Sequence, residues 1–296
     1  MGNTTAHRHL WLSVLALAIM LAAPTASAAL AVHFIDVGQG DAVLIECDDY
    51  DQWALIDSGD RFKDQVAKLR SYLEGQDVEA VHMLVATHPH ADHIGGMSMV
   101  LQEFTVLLVA DSGYEATSAL WRNYGELLTT SAIPVIFPRR GDVIRLGNLE
   151  LYVLHPSDPV DRYANTNNSS VVSRLEYGDV SFLFTGDVEA LGESEMLSEL
   201  GSSASELLDI DILKVAHHGS KTSSSEAFLS VVTPEVAVIS VGEGNRYGLP
   251  DEETLDALAE VGAEVYRTDH HGTVVVWTDG SQYSVTTERG VESALH

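Results

Sequence analysis

The stretch Thr87-His88-Pro89-His90-Ala91-Asp92-His93-Ile94-Gly95-Gly96 sets three imidazoles and a carboxylate within six residues, directly after the apolar run Val81-His82-Met83-Leu84-Val85-Ala86. A short apolar run closed by turn residues reads as a buried strand, and the turn after this one has the composition of a metal site. Imidazole nitrogens and carboxylate oxygens suit zinc and similar divalent ions. Alternating donors in one turn can aim two side chains at one ion and two at a neighbour.

Outward from this segment the pattern alternates strand-like runs with turn chemistry. His33–Val37, Ala42–Cys47 and Trp53–Asp57 read as short strands, separated by Gly38-Gln39-Gly40-Asp41 and by Asp48-Asp49-Tyr50-Asp51. Helices are expected at about Gln65–Glu74, Met97–Glu103, Ser118–Thr129, Glu189–Leu200, Ser224–Val231 and Thr254–Val261. Further strands are expected at Val106–Ala110, Leu149–Leu154, Ser170–Glu176, Ser181–Thr185, Ile210–Ala216, Val236–Ser240, Glu264–Tyr266 and Thr273–Thr278. Two β-rich halves with interspersed helices imply sheets packed face to face with helices outside. Candidate donors recur just past strand ends.

The 296 residues suffice for a substantial core, most simply a single domain over residues 29–296. Residues 1–28 read as a secretory signal: His7-Arg8-His9, the apolar run Leu10–Ala23, then small residues at Ala26 and Ala28, with cleavage after Ala28. An uncleaved anchor is the alternative. The mature chain is therefore expected to be secreted or periplasmic, with no transmembrane segment. Cys47 is the one cysteine, so no intramolecular disulfide can form, and its strand-like setting reads as a buried, inert thiol.

The formal charge is −28, and Lys63, Lys68, Lys214 and Lys221 form no basic cluster in sequence. That balance disfavours grip on nucleic acid at low salt. It fits a saline setting, where self-repulsion is screened.

A two-ion hydrolytic centre needs donors for both ions, one shared bridging group and an open position for water. The sequence supplies His88 and His90 for one ion, Asp92 and His93 for the other, Asp187 after the run Ser181–Thr185 as the bridge, and a histidine of the pair His217-His218. Asp57, closing Leu55-Ile56-Asp57, reads either as a carboxylate that orients a histidine donor or as a turn residue. His7, His82, His155, His270 and His296 lie outside this pattern and read as ordinary surface or core histidines.

These residues resemble the metallo-β-lactamase superfamily in motif order: strand-ending Asp57, the H-x-H-x-D-H set His88, His90, Asp92 and His93, a later Asp187 and a late histidine. Within it, Phe34–Ala42, Phe184-Thr185-Gly186-Asp187, Lys214–Ser220 and Asn245-Arg246-Tyr247-Gly248 resemble the hydrolase domain of ComEC/Rec2 competence proteins, over about residues 30 to 280. The resemblance implies a four-layer αββα sandwich of the α/β (α+β) class and a divalent metal cofactor, two zinc ions or else manganese or iron. Many superfamily members place another histidine between H-x-H-x-D-H and the bridging aspartate. Here, as in the ComEC-like subgroup, that stretch carries Asn165-Thr166-Asn167-Asn168-Ser169-Ser170, so the ion at His88 and His90 is expected to be the weaker one. Leu249 stands where the subgroup often has histidine, a change expected to touch the cleft.

Similarity to a secreted phosphocholine esterase of the same superfamily implies His218 as the metal donor and His217 as the outward-facing partner that contacts a phosphate or stabilises developing charge; the reverse order is the alternative. Asp92 and His217 are the expected catalytic groups, Asp92 steering the attacking water and His217 serving the leaving oxygen. Asn168 is a candidate for substrate contact or for a cap. The expected activity is an exported metal-dependent phosphodiesterase or nuclease. A lactone or β-lactam hydrolase and a non-catalytic binding module are the alternatives. The expected partner is a phosphodiester or another small molecule, and nothing in the sequence fixes the oligomeric state.

Overall fold

A computed structural model of the chain describes residues 30–47, 52–147 and 149–290. The expected signal segment 1–28, the turn 48–51 and His296 lie outside the described residues. In chain order the first half comprises β1 (Leu30–Phe34), β2 (Val43–Cys47), β3 (Gln52–Ile56), α1 (Lys63–Gly75), β4 (Ala80–Val81), β5 (Met83–Ala86), α2 (Ala91–Ile94), α3 (Met97–Glu103), β6 (Thr105–Val106), β7 (Val109–Asp111), α4 (Ala119–Ser131) and β8 (Val135–Ile136). The second half comprises β9 (Val143–Leu146), β10 (Leu149–His155), β11 (Val172–Tyr177), β12 (Val180–Phe184), α5 (Ala190–Leu200), α6 (Ala204–Leu208), β13 (Ile212–Lys214), α7 (Glu226–Val232), β14 (Val236–Ile239), α8 (Glu252–Glu260), β15 (Glu264–Arg267), α9 (Thr268–His271), β16 (Val274–Thr278) and β17 (Tyr283–Thr287).

The strands form an eight-stranded sheet in the order β17-β16-β1-β2-β3-β5-β7-β8, a seven-stranded sheet in the order β15-β14-β13-β12-β11-β10-β9, and the small pair β4-β6. Period-two alternation explains why the central runs are apolar throughout. In β3 and β5, Ala54, Ile56, Met83 and Val85 enter the core between the sheets, while Trp53, Leu55, Leu84 and Ala86 pack outward with the buried Leu69, Met97 and Tyr124 of α1, α3 and α4. The second sheet repeats this: Phe182, Phe184, Ile212 and Val238 face inward, and Leu183, Leu213 and Ile239 face Met196, Leu208, Phe228 and Leu258 of α5 to α8. The result is helix, sheet, sheet, helix, the expected αββα sandwich. Each fully buried leucine or phenylalanine in these layers contributes about 1.5–3 kcal/mol. Cys47 is buried in the inter-sheet core.

Several sequence expectations shift. The expected strand Val81–Ala86 is interrupted at His82, whose Nδ1 accepts the Trp53 N–H (3.2 Å), so Ala80–Val81 pairs instead with Thr105–Val106. The expected strand Val106–Ala110 is accordingly two, β6 and β7. The first strand is Leu30–Phe34 rather than His33–Val37, because Ile35 N–H turns to the Ala42 carbonyl and the Asp36 carboxylate takes the Gly38 N–H. Strands β8, β9 and β17 and helices α2, α6 and α9 come in addition to the elements expected from sequence.

Each sheet joins an antiparallel meander to a parallel segment. The change falls between β3 and β5 in one and at β12 in the other. Asp57, the histidine run, Asp187 and the His217-His218 pair all follow the carboxyl ends of the strands at these two changes, the usual place for a site in sheets of this kind.

Candidate metal centre

Chain geometry delivers the donors to one place. The Thr87 carbonyl accepts the Val171 N–H (2.9 Å), joining the histidine run to the second sheet, and the Gly186 carbonyl accepts the His217 N–H (3.2 Å). Helix α2 presents Asp92 and His93. The turn Ala216–Gly219 holds His217 at φ 50° and His218 at φ 55°, both left-handed. Two consecutive non-glycine residues there are strained. They carry the two imidazoles to different surroundings: His218 is buried, and the His217 side chain is 25% exposed.

The six expected donors fall into two groups that share Asp187. One is Asp92, His93, Asp187 and His218, and the other His88, His90 and Asp187; within each, the donor atoms lie within 4.8 Å of one another. Asp187 Oδ2 is 3.0 Å from His93 Nε2, 3.7 Å from His218 Nε2 and 3.7 Å from His88 Nε2, and His218 Nε2 is 3.2 Å from Asp92 Oδ2. Tetrahedral donors at zinc bond lengths stand ~3.4 Å apart, so these spacings fit divalent ions. Among the described residues the buried Asp187 Oδ1 has no hydrogen-bond partner and His93 Nε2 has only the Asp187 carboxylate beside it, so a cation there would satisfy both.

Neighbouring groups fix which imidazole nitrogen is free. Asp57 accepts the Thr87 N–H and hydroxyl (2.9 and 2.6 Å) and faces His93 Nδ1 at 2.7 Å, which leaves Nε2 as the donor atom toward a metal. His218 Nδ1 faces the Ser240 carbonyl at 2.9 Å and Asp41 Oδ1 at 3.2 Å, again freeing Nε2. Asp41 in turn pairs with the buried Lys214 ammonium (2.7 Å), and its N–H donates to the Asp92 carbonyl. Sequence reasoning assigned neither Asp41 nor Lys214. The available signal was a charged residue inside the apolar run Ile210–Ala216.

Electrostatics separate the two groups. Burial lowers His88 well below its ordinary range, with the neighbouring His93 adding to the effect, and burial likewise lowers His90. Burial also opposes charge on His93 and His218. Asp187 and Asp57 nevertheless raise His93 well above the ordinary value, and Asp187 and Asp41 raise His218 to about 10. A divalent ion held at His93 and His218 would supply the positive charge that these carboxylates favour.

His217 lines a cleft of about 320 Å³ with His90, Asp92, Asp187, Tyr247 and Leu249. Its Nδ1 is 3.0 Å from the Thr222 hydroxyl and 3.4 Å from Glu189 Oε1, and its Nε2 lies 4.0 Å from Asp187 Oδ2. Asn168 is absent from this cleft: buried, it accepts the Glu189 and Gly192 N–H groups through Oδ1 and so tethers the start of α5. Its neighbour Asn167 reaches His217 instead, Nδ2 to Nε2 at 3.4 Å. His155 bonds the Asn168 carbonyl and belongs to neither donor group. Near His88, the middle stretch offers Ser170, whose Oγ accepts the Asp187 N–H and lies 3.4 Å from His88 Nδ1. Larger cavities of about 740, 560 and 430 Å³ lie away from these residues, so donor chemistry rather than size marks this site.

Comparison with known proteins agrees with the geometry. ComE operon protein 3 of Bacillus subtilis (strain 168) is 31% identical over 258 residues, 82% of this chain and 32% of that protein. Recombination protein 2 of Haemophilus influenzae is 33% identical over 249 residues, 83% of this chain and 28% of that protein. The chain thus spans about a third of the length of these relatives. Among solved structures, the metallo-beta-lactamase fold protein YhfI from Bacillus subtilis superposes with a TM-score of 0.52 at 14% identity, over 80% of this chain and 96% of that one. The profile described as "Metallo-beta-lactamase superfamily" matches residues 35–243, and with its motif order set on this fold the chain belongs to that superfamily.

Proposed function

We propose that the chain is an exported, metal-dependent phosphodiesterase. The observation that carries this reading is the shared carboxylate: Asp187 stands in both donor groups and opens onto the cleft beside His217. His88, His90 and Asp187 would hold one divalent ion and Asp92, His93, Asp187 and His218 a second, and such ions would supply Lewis-acid activation of water and neutralisation of phosphoryl charge. Asp92, at the cleft, orients the attacking water. His217, which lines the cleft, donates from Nε2 to the leaving oxygen. No serine or cysteine nucleophile takes part.

The thin donor set around His88 and His90 favours phosphoryl over lactam chemistry, since the middle stretch contributes Ser170 where many superfamily members place another histidine. The name of one relative, a recombination protein, brings nucleic acid within the proposed substrate range. The acidity of this chain favours short or small phosphodiesters over long DNA.

Metal analysis of the purified protein, coupled to turnover of bis-p-nitrophenyl phosphate, single-stranded DNA, a lactone and a chromogenic cephalosporin, tests the proposal. Bound divalent metal and phosphodiester turnover are expected, with both lost in His88→Ala and Asp187→Ala. Selective lactone or cephalosporin turnover would move the reading to the carbon-centred alternative. No metal and no turnover would leave a binding module.

A further inference from the structure

A second cavity, of about 560 Å³, lies between α4 and the segments on either side of it, residues 111–115 and 132–137, away from the metal-donor residues. Its walls carry Trp121, Tyr124 and Phe137 with Leu128, Ile133 and Val135. Its charged lining consists of two carboxylates, Asp111 and Glu115, and no lysine or arginine lines it. Asp111 is buried. Its Oδ1 accepts the Gly113 N–H and its Oδ2 the Tyr124 hydroxyl, which leaves each oxygen a free lone pair. Burial raises this carboxyl above its ordinary value, a condition that a cationic partner relieves. Arg139, the guanidinium whose field reaches Asp111, is committed to Asp158 and to the carbonyls of Ser112 and Pro138.

Gly125 supplies an independent observation. It sits in the middle of α4, where glycine costs about 0.5–1 kcal/mol relative to alanine. A Cβ there would meet no atom within 4 Å, so the chain's own packing does not require the glycine. Gly125 is part of the cavity wall.

From these walls and charges we propose that this cavity binds a small organic cation, an aryl or alkyl group bearing one ammonium, with the apolar part among Trp121, Tyr124 and Phe137 and the charge toward Asp111 and Glu115. Aromatic faces and carboxylates attract the same ligand charge, and burial of the apolar part supplies the remaining affinity. The site is independent of the hydrolytic reading and shares no residue with the two donor groups around Asp187.

The test is calorimetric titration of the intact protein with 4-phenylbutylammonium and with its uncharged analogue 4-phenylbutanol. The cation is expected to bind about tenfold more tightly than the alcohol. Gly125→Leu, which fills the cavity, is expected to abolish binding of both while the melting temperature holds or rises. Asp111→Asn and Glu115→Gln are expected to narrow the difference between the two ligands. If Asp111→Asn fails to fold, the exposed Glu115 and the Gly125 variant still decide. Equal affinity for cation and alcohol, or cation binding that survives Gly125→Leu, would overturn the proposal.

Discussion

His93 is clamped at both ends of its ring, by Asp57 at Nδ1 and by Asp187 beside Nε2. The Asp57→Asn variant isolates the first contact, because asparagine tolerates the left-handed backbone that Asp57 adopts at φ 60°. It is expected to weaken metal binding by about 10–100-fold with little change in fold, measured by competition with a chelator. A second expectation concerns the metal-free protein. His218 is raised to about 10, so its contribution to stability is complete below its unfolded value near 6.5 and is lost as pH climbs toward 10. Chelated protein should therefore melt several degrees lower at about pH 9 than at about pH 6, whereas metal-loaded protein should show a smaller fall. Melting curves with and without chelator check this. At this scale the donors were legible, because histidines clustered after a strand rarely serve any purpose but metal binding. Asp41 and Lys214 were not, since an aspartate in Gly38-Gln39-Gly40-Asp41 reads as turn chemistry and its lysine partner lies far away in sequence.

Elements were legible where apolar alternation was sustained. The runs that became β2, β3, β12 and β14 are apolar because both faces of their sheets are covered. Strand β8 has only two residues, β9 is interrupted by Arg145, and β17 alternates Tyr283 and Val285 with serine and threonine, a pattern easily taken for loop. The turn before β2 shows how tightly an irregular element can govern the site. Gly40 stands at φ 128°, and a Cβ there would fall 2.3 Å from the Asp92 carbonyl oxygen. Gly40→Ala is expected to destabilise the protein by about 1–3 kcal/mol through backbone strain and to displace Asp92. Urea denaturation and metal titration should both register the change; an effect on stability alone would mean that α2 does not follow the turn.

Across the whole molecule the dominant property is negative charge. Basic side chains are largely committed: Arg70 to Glu103, Arg140 to Glu199, Arg162 to Glu195, Arg267 to Asp269. An anionic strand approaching the cleft therefore meets net repulsion, which salt screens. KM for a single-stranded oligonucleotide is expected to fall as KCl rises from about 50 to about 500 mM, the reverse of a basic DNA-binding protein, while KM for bis-p-nitrophenyl phosphate changes little. Steady-state kinetics across the salt series decide it; parallel weakening of both substrates would exclude the electrostatic account.

The division of the donors between the two sheets has a further consequence. His88, His90, Asp92 and His93 come from the first half of the chain, Asp187 and His218 from the second, and the Thr87–Val171 hydrogen bond joins them. Neither half owns a full coordination shell, so a chain whose sheets have not docked offers an ion only scattered, weak ligands. A metal centre held by these residues would therefore form only in the finished molecule, once both halves have closed on each other.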